Sequence, residues 1–384
     1  MFHKVYWTPQ KIAQRIELIE PLVYRQRLPL PNFRYKDLSS PQDTPPIGQE
    51  IDASGWEEVQ PHSYWGGWRQ DFVLRTTFQV AKADKKLPYA LYLPLGDSHD
   101  FSHPETLAYI DGQAYAAADR HHRELALAKS YLDGKAHTLA LHGWTGGDIG
   151  GDPNIKLYMR ECSVVQIDPP TRQFVAAARV ALEVAAELDD NDPVKARLYN
   201  ALDEAFKTIE TRGIEKQDAT GGFVEAPVGS SSFYDSVPAA LKVLQKGIAG
   251  AGEPMDVDII GVGHAHIDVA WLWTLAQVVR KSGRTFSTVL RLMEEFPEYK
   301  FSQSQAQLYA YTEQNYPELF EQIKKRVKEG RWEPMGGTWV EPDCNAIGAE
   351  SLARQFLLGR GYFRKHFGDV DTPVLWLPDT FGYS

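Results

Sequence analysis

The sequence predicts a multidomain α+β protein built from a β-rich segment, a helical segment and an α/β segment, in that order. Apolar residues alternate with polar ones between residues 71 and 168, recur at helical spacing between 174 and 247, and form short runs divided by helical stretches after 257. A chain of 384 residues leads us to expect two or three domains, and a hydrophobic content of 43% supplies enough apolar surface for their cores.

Residues 1–67 are predicted to form one helix and a long loop. The pair Thr8-Pro9 marks a helix start, and isoleucines recur at helical spacing after it until the prolines at positions 29 and 31 end the pattern. From residue 30 the chain is rich in proline, serine, aspartate and glycine without a sustained period, which is typical of a loop.

Residues 68–170 are predicted to form an antiparallel β-sandwich of jelly-roll type. Its apolar residues alternate along four short stretches, and the pairs Asp111-Gly112 and Asp133-Gly134 have the composition of hairpin turns. Short strands separated by such turns are typical of sandwiches. A sandwich of this kind either binds sugar or braces its neighbour, and we favour bracing.

The second half of the chain is predicted to change from helical to α/β structure. Residues 171–252 contain a helical hairpin that turns at 189–192 and a further helix near 237–247. Residues 253–384 then alternate short apolar strands with helices, which predicts parallel pairing and the start of a β/α-barrel-like domain. The strands are expected at residues 257–262, 299–302, 332–340 and 374–377.

Charge and composition exclude several classes of partner. The formal net charge is −10, so the chain lacks the basic surface that nucleic acid requires. No apolar run reaches the roughly 18 residues of a membrane span, and the first residues do not read as a secretory signal. The two cysteines, Cys162 and Cys344, form no ligand pair and suit a reducing compartment. We therefore expect a cytoplasmic protein with neither a nucleic acid nor a membrane as partner.

Polar side chains follow the first and last strands of the α/β segment. His264, His266 and Asp268 come after the first strand, and Asp379 comes after the last. Catalytic groups of parallel α/β proteins gather where strands end, and an imidazole with two carboxylates suits Zn²⁺. Taken alone, a single histidine is more often a core residue, and Asp379 before Thr380 is more often a helix cap or turn residue.

Aromatic residues near these motifs suggest a sugar ligand. Trp271 lies three residues after Asp268, and a flat ring suits the apolar face of a sugar while carboxylates suit its hydroxyl groups. For Trp273, Trp332 and Trp376, core packing is the favoured interpretation.

Four ordered motifs make the resemblance specific. Residues 263–271 (GHAHIDVAW), 339–345 (WVEPDCN), 350–356 (ESLARQF) and 377–384 (LPDTFGYS) resemble glycoside hydrolase family 38, the class II α-mannosidases. The resemblance is strong over about the last 130 residues and looser before them, where it is to the cytosolic and vacuolar branch.

The resemblance implies roles for individual residues. His266 and Asp268 correspond to zinc ligands, Asp379 to both a zinc ligand and the nucleophile, and Trp271 to the residue that stacks on mannose. His264 corresponds to a residue behind the ligands rather than to a ligand, and Glu341 and Asp343 receive no role. The implied reaction is retaining hydrolysis of terminal α-linked mannose in oligosaccharides, through a glycosyl-aspartate intermediate and one Zn²⁺.

The second histidine ligand and the general acid/base of the family are expected beyond Ser384. The chain is accordingly interpreted as an N-terminal fragment with little activity alone. Linkage preference, the exchange of cobalt for zinc and assembly into a homo-oligomer remain open.

Two other functions are weighed against the mannosidase. One is a different metal-dependent hydrolase, because an HxH pair after a first barrel strand also serves amidohydrolases. That reading needs two further histidines and a bridging lysine, which are not recognisable here. The other is a non-catalytic carbohydrate-binding module that uses the β-sandwich.

Overall fold

The computed structural model describes residues 3, 6–81, 86–96, 103–146, 154, 156–212, 214, 229–253, 256–370 and 372–380. It is a mixed α/β structure. The first helix, α1, spans Thr8–Ile19 and turns its isoleucines at positions 12, 16 and 19 into the protein. The prediction that the pattern runs to Pro29 is wrong, because a 3₁₀ turn over Glu20–Val23 and strand β1 over Tyr24–Pro29 follow the helix.

The β-rich segment contains twelve strands among the described residues. They are β1, β2 (Phe33–Leu38), β3 (Glu57–Val59), β4 (Tyr64–Trp65), β5 (Asp71–Gln79), β6 (Tyr89–Tyr92), β7 (Glu105–Ile110), β8 (Gln113–Ala118), β9 (Glu124–Ala126), β10 (Ala136–Trp144), β11 (Leu157–Tyr158) and β12 (Ser163–Ile167). An antiparallel sheet of order β1-β12-β6-β9 and another of order β3-β2-β5-β10-β7-β8 contribute side chains to one hydrophobic core. The jelly-roll connection stays a prediction.

Three of these strands lie where a long loop was expected. Strand β2 pairs with β5 in register, Tyr35 opposite Leu74, and β3 pairs with β2. The loop prediction is wrong here because the hydrogen-bonding partner comes from beyond residue 70, and local composition carries no trace of it. The pairing crosses the expected boundary at residue 67, while the division into domains stays a prediction.

The two predicted hairpin turns have different outcomes. Asp111 and Gly112 both have positive φ, 53° and 82°, and join β7 to β8 in a two-residue hairpin, as predicted. Asp133-Gly134 instead follows a 3₁₀ turn over Lys129–Tyr131 and leads into β10, so the hairpin prediction is wrong there.

Three predicted helices follow and pack with α1 around a second core. They are α2 (Pro169–Glu187), α3 (Pro193–Thr208) and α4 (Ser231–Ala249). Asp168 and Asp192 cap the first two, since each side chain accepts a hydrogen bond from a backbone N–H of the first turn. Within the described part of the chain, no helix combines the length and apolar character needed to cross a bilayer.

The α/β segment contains a short parallel sheet. Its elements are α5 (Leu275–Glu295), β13 (Phe301–Gln303), α6 (Ala306–Asn315), α7 (Pro317–Lys328), β14 (Trp332–Pro334) and α8 (Ala349–Phe367). Strand β13 pairs with β14 in parallel, as the sequence predicts, and Gly263 forms a parallel bridge to Phe301 on the other side. Helix α6 was not predicted, and the closure of a barrel stays a prediction.

Three strand predictions in this segment are wrong in extent. Residues 257–262 pair with no described strand and are exposed. Strand β14 ends at Pro334, because Gly336 and Gly337 take positive φ of 78° and 71° and turn the chain. Residues 374–377 have no strand assignment, and residues 381–384 of the last motif, with Tyr383, lie outside the described part.

Helix α5 joins the two halves of the molecule through buried ion pairs. Arg280 pairs with Asp71 of β5, and its Nη2 donates to the carbonyl oxygen of Pro41 at 2.6 Å. Lys281 lies 2.8 Å from the Glu105 carboxylate, which Arg284 also contacts. Burial alone would raise the pKa of Glu105, but these two cations hold it below its usual value. The β-rich segment therefore fixes the helix that follows the HxHxD motif.

Candidate metal and catalytic site

Three of the predicted site residues converge. His266 Nε2 lies 3.4 Å from Asp268 Oδ1 and 3.7 Å from Asp379 Oδ2, and one ligand atom of each residue falls within 4.8 Å of the others. The first two side chains leave the segment that follows Gly263, and Asp379 enters from the end of the described chain, 111 positions later. The fold thus brings together what the sequence holds apart.

The spacing of these atoms suits a small divalent cation. Ligands held 2.0–2.2 Å from a tetrahedral Zn²⁺ are separated from one another by roughly 3.3–3.6 Å. The separations from His266 to the two carboxylates are close to this range. One nitrogen and two oxygen donors are also ligand types that zinc accepts, so the residues present fit the metal. Two carboxylates beside one another would otherwise repel.

His264 faces away from this cluster. Its Nδ1 lies 2.8 Å from the carbonyl oxygen of Ser302, and its Nε2 accepts a hydrogen bond from Trp376 Nε1 at 3.1 Å. Burial lowers the pKa of His264, which favours the neutral ring that this pair of bonds requires. With both ring nitrogens engaged, His264 connects strand β13 to the segment at Trp376 and has no nitrogen left to face His266.

Glu341, to which the sequence assigns no role, lies behind the cluster. Its side chain is 7% exposed, and Oε2 lies 3.1 Å from His266 Nδ1. Oε1 accepts hydrogen bonds from the backbone N–H of Asp379 at 3.0 Å and from Thr380 Oγ1 at 2.7 Å. Asp343 of the same motif instead accepts bonds from the backbone of its own turn.

Two glutamines that sequence reasoning missed support this arrangement. Gln305 Oε1 accepts from the Glu341 N–H at 3.2 Å, and its Nε2 donates to the Ile267 carbonyl oxygen at 2.9 Å. Gln355 of α8 accepts from the Val340 N–H at 2.9 Å. The positive φ of Gln305, 65°, is uncommon outside glycine, and only its tertiary contacts account for it.

Helix α8 reaches this segment at a glycine. A Cβ added at Gly359 would lie 2.4 Å from the carbonyl oxygen of Gly337 and from the carbonyl carbon of Thr338. No side chain fits in that space, so the glycine allows backbone to meet backbone. Gln355, the residue of the 350–356 motif that binds the Val340 N–H, lies one helical turn before this contact.

Trp271 is connected to the site through Trp273. Its ring is 65% exposed and meets Trp273 edge-on, with 5.4 Å between the ring centroids. Trp273 is partly buried beneath Lys281, whose Nζ lies 4.3 Å from its ring centroid, and donates from Nε1 to the carbonyl oxygen of Asp268. An exposed ring next to a packed one is a surface on which a sugar could stack.

A cavity of about 400 Å³ lies between the 264–267 segment, α5 and β8. His264, His266 and Trp273 line it, and Val289 and Phe301 form part of its apolar wall. Neither Asp268 nor Asp379 lines it, so the carboxylates face another side of the segment. The cavity is large enough for a small ligand, but it is not where the three donor atoms meet.

Comparison with known proteins finds relatives of the segment that contains this site. The sequence model of the glycosyl hydrolases family 38 N-terminal domain matches residues 256–384. Alpha-mannosidase G of Dictyostelium discoideum is 52% identical over 123 residues, which are 32% of this chain and 11% of that protein. Alpha-mannosidase 2C1 of Homo sapiens is 41% identical over 150 residues, 39% of this chain and 14% of that protein.

A third relative extends the similarity towards the N-terminus. The alpha-mannosidase of Saccharomyces cerevisiae is 42% identical over 237 residues, 61% of this chain and 21% of that protein. Because this alignment is longer than the segment 256–384, part of it lies before that segment. The aligned parts span between a tenth and about a fifth of these relatives. Residues 256–384 therefore match the N-terminal domain of glycosyl hydrolase family 38, and the chain is similar to alpha-mannosidases over part of their length.

Proposed function

We propose that this chain supplies the zinc-ligand and nucleophile part of a retaining α-mannosidase that removes terminal α-linked mannose from oligosaccharides. The observation that carries the proposal is the meeting of His266, Asp268 and Asp379 donor atoms within 4.8 Å of one another. We infer mannose as the sugar from the relatives, which are named alpha-mannosidases, and zinc as the metal from the set of one nitrogen and two oxygen donors.

The proposal assigns metal binding to three residues and sugar binding to a fourth. His266 and Asp268, in the segment after Gly263, would hold the cation together with Asp379, near the end of the described chain. Zn²⁺, when bound, would accept sugar hydroxyl oxygens and favour a distorted ring. Trp271 would stack on the sugar face and orient the anomeric carbon.

Asp379 has the exposure that a nucleophile needs. Its side chain is about half exposed, so one carboxylate oxygen is free to face the sugar while Oδ2 faces His266. In retaining hydrolysis this carboxylate would attack the anomeric carbon as the glycosidic bond to the leaving oxygen breaks, and water would then cleave the glycosyl-aspartate ester. The acid that protonates the leaving oxygen, and a further zinc ligand, would come from residues other than these.

The remaining parts of the assignment stay proposals as well. The partners are α-mannoside oligosaccharides, with a homo-oligomer as the assembly to be measured, and the compartment is the cytoplasm. The alternative of a carbohydrate-binding module predicts sugar binding that does not require zinc. The alternative of another metal-dependent hydrolase predicts zinc binding without mannoside binding.

The test uses the full chain and three measurements. Calorimetry with Zn²⁺ should show one site, weakened at least tenfold in His266→Ala and Asp379→Asn, and unchanged in the control Asp343→Asn. Methyl α-mannoside should then bind the zinc-loaded chain more tightly than methyl α-glucoside. Turnover of an aryl α-mannoside should be slow or absent. Zinc affinity that is equal in Asp379→Asn and the unmodified chain would overturn the assignment of Asp379.

A further inference from the structure

We propose that Glu341 is the positioning residue of the site: its carboxylate sets the ring tautomer of His266 and holds the backbone of Asp379, so that both present their donor atoms to one cation. The inference rests on the proposed function for the identity of the cation, and on the geometry of this structure for everything else.

The first argument is the cost of burying a charge. A carboxylate removed from water is stable only where donors or a positive charge compensate it. The Glu341 side chain is 7% exposed, and its described contacts are with His266, Asp379 and Thr380. All the described contacts of the Glu341 carboxylate are therefore with residues of the site.

The second argument concerns the histidine. Glu341 Oε2 lies 3.1 Å from His266 Nδ1, within ion-pair distance, and both atoms are buried and form no hydrogen bond of good geometry among the described residues. A carboxylate facing Nδ1 requires the proton there, which leaves the lone pair on Nε2. Nε2 is the atom that lies near Asp268 and Asp379. Glu341 thus selects the tautomer that is able to bind a metal.

The third argument concerns the aspartate. Glu341 Oε1 accepts two hydrogen bonds, from the backbone N–H of Asp379 and from the hydroxyl group of Thr380. These bonds fix the chain at the point where it delivers Asp379 to His266, in a segment without a strand assignment of its own. One carboxylate therefore bridges the two ligands that are most distant in sequence.

The fourth argument is that Glu341 is itself held in place. Gln305 binds the Glu341 N–H through its amide oxygen and the Ile267 carbonyl oxygen through its amide nitrogen. Ile267 lies between His266 and Asp268, so the same network supports the first two ligands and the third. Partners that orient metal ligands in this way contribute 10–100-fold to metal affinity in other proteins.

The decisive variant is Glu341→Gln, which keeps the size of the side chain. Asp379 and Thr380 still need an acceptor, so the new amide oxygen would face them and its NH₂ group would face His266 Nδ1. Nδ1 must then accept, and the proton moves to Nε2, where it blocks a metal. We expect zinc affinity to fall 10–100-fold and the visible absorption of the Co²⁺ form to lose intensity.

A second readout needs no metal. In a chain labelled with ¹⁵N-histidine, the chemical shifts of the two ring nitrogens report which one carries the proton. For His266 they should show a protonated Nδ1 in the unmodified protein and a protonated Nε2 in Glu341→Gln. Glu333→Gln is the matched control, because Glu333 accepts from Ser302 Oγ at 2.7 Å on the neighbouring strand, and none of its described hydrogen bonds or ion pairs involves a proposed ligand. A control that moves the His266 shifts equally would contradict the proposal.

The outcomes separate the two claims. Zinc affinity within twofold of the unmodified chain in Glu341→Gln, with unchanged Co²⁺ absorption, would overturn the positioning role and leave the proposed function standing. If Glu341→Gln loses zinc affinity but the unmodified chain does not bind mannoside, the positioning role stands and the proposed function is overturned. Glu341→Asp keeps the carboxylate on a side chain that is one methylene group shorter. Compared with Glu341→Gln, we expect it to restore the His266 tautomer but only part of the zinc affinity.

Discussion

An isoleucine in an apolar, strand-like run is buried in the β-rich segment but exposed in the α/β segment. Ile110 ends strand β7, where partners flank it on both sides, and it is completely buried. Ile259 lies in an equally apolar run and is 88% exposed. Both runs have the composition of a strand, but the second has no neighbouring strand among the described residues. Strand composition buries a residue only where the fold provides a partner.

The two segments also differ in how they use polar groups. In the β-rich segment the backbone hydrogen bonds of long ladders hold the strands, and nine consecutive residues of β10 pair with β5. At the site of the α/β segment the strands are three residues long, and side chains such as Glu341 and Gln305 bridge what the ladder does not reach. The first segment is therefore ordered by its backbone and the second by specific side chains.

The largest effect is expected at the junction of the two segments. Arg280→Ala leaves the Asp71 carboxylate buried with Gln277 as its remaining described side-chain partner, and breaking a buried pair of this kind costs about 3–5 kcal/mol of unfolding free energy. Urea denaturation measures it. The double variant Asp71→Asn/Arg280→Met removes both charges and should recover most of the loss. If the single and double variants are equally unstable, the pair does not join the segments.

The next largest effect tests the core of the β-rich segment. Ile110→Ala removes buried methyl groups from a position with no solvent exposure, and such truncations cost about 2–5 kcal/mol. The same denaturation experiment measures it. A loss below 1 kcal/mol would mean that the two sheets do not enclose a tight core at this hairpin.

A smaller effect should depend on pH. Burial, with the nearby charges of Arg280 and Arg284, lowers the pKa of His142 on β10 to about 3. Between about pH 6.5 and 3 the unfolded chain binds a proton that the folded chain does not, so stability falls as the pH falls, and this group contributes no slope above about 6.5.

The change from pH 7 to pH 5 should cost about 2 kcal/mol through His142. His142→Phe removes that contribution, so the variant should lose about 2 kcal/mol less than the unmodified chain over the same interval. Denaturation at both pH values checks this. Equal pH slopes in the two proteins would show that the ring is hydrated in the folded chain.

The smallest effect is expected at the exposed run. Ile259→Ala removes the same groups as Ile110→Ala from a position that is already in water, so unfolding free energy should change by no more than about 0.5 kcal/mol. A loss comparable with that of Ile110→Ala would show that a partner covers residue 259 in solution, and the contrast between the segments would then disappear.

Helices with clear start and stop signals could be predicted from the sequence, because those signals are local. Pro193 after Asp192 and Pro317 before an apolar stripe both mark observed helices. Strands depended on partners that are distant along the chain. For this reason local composition indicates a loop where β2 forms and a strand at 257–262, where none forms.

The site divides in the same way. The residue types and spacing of His266, Asp268 and Asp379 could be selected from the sequence, and the fold brings all three together. Gln305 lies in none of the motifs, and Gln355 lies in the 350–356 motif without an assigned role, because a neutral amide acquires its role only from the groups that fold against it. Glu341 was visible within a motif, but its partners come from two other segments.

The contact at Gly359 has a consequence for anyone who redesigns this chain. The α8 backbone rests directly on the 337–338 segment, and three residues later that segment delivers Glu341. Leu357 and Leu358 of the same helix are exposed, so polar residues at these two positions would not disturb this contact. A methyl group at 359, by contrast, would act as a wedge, and the ligand geometry would shift although no ligand had been altered.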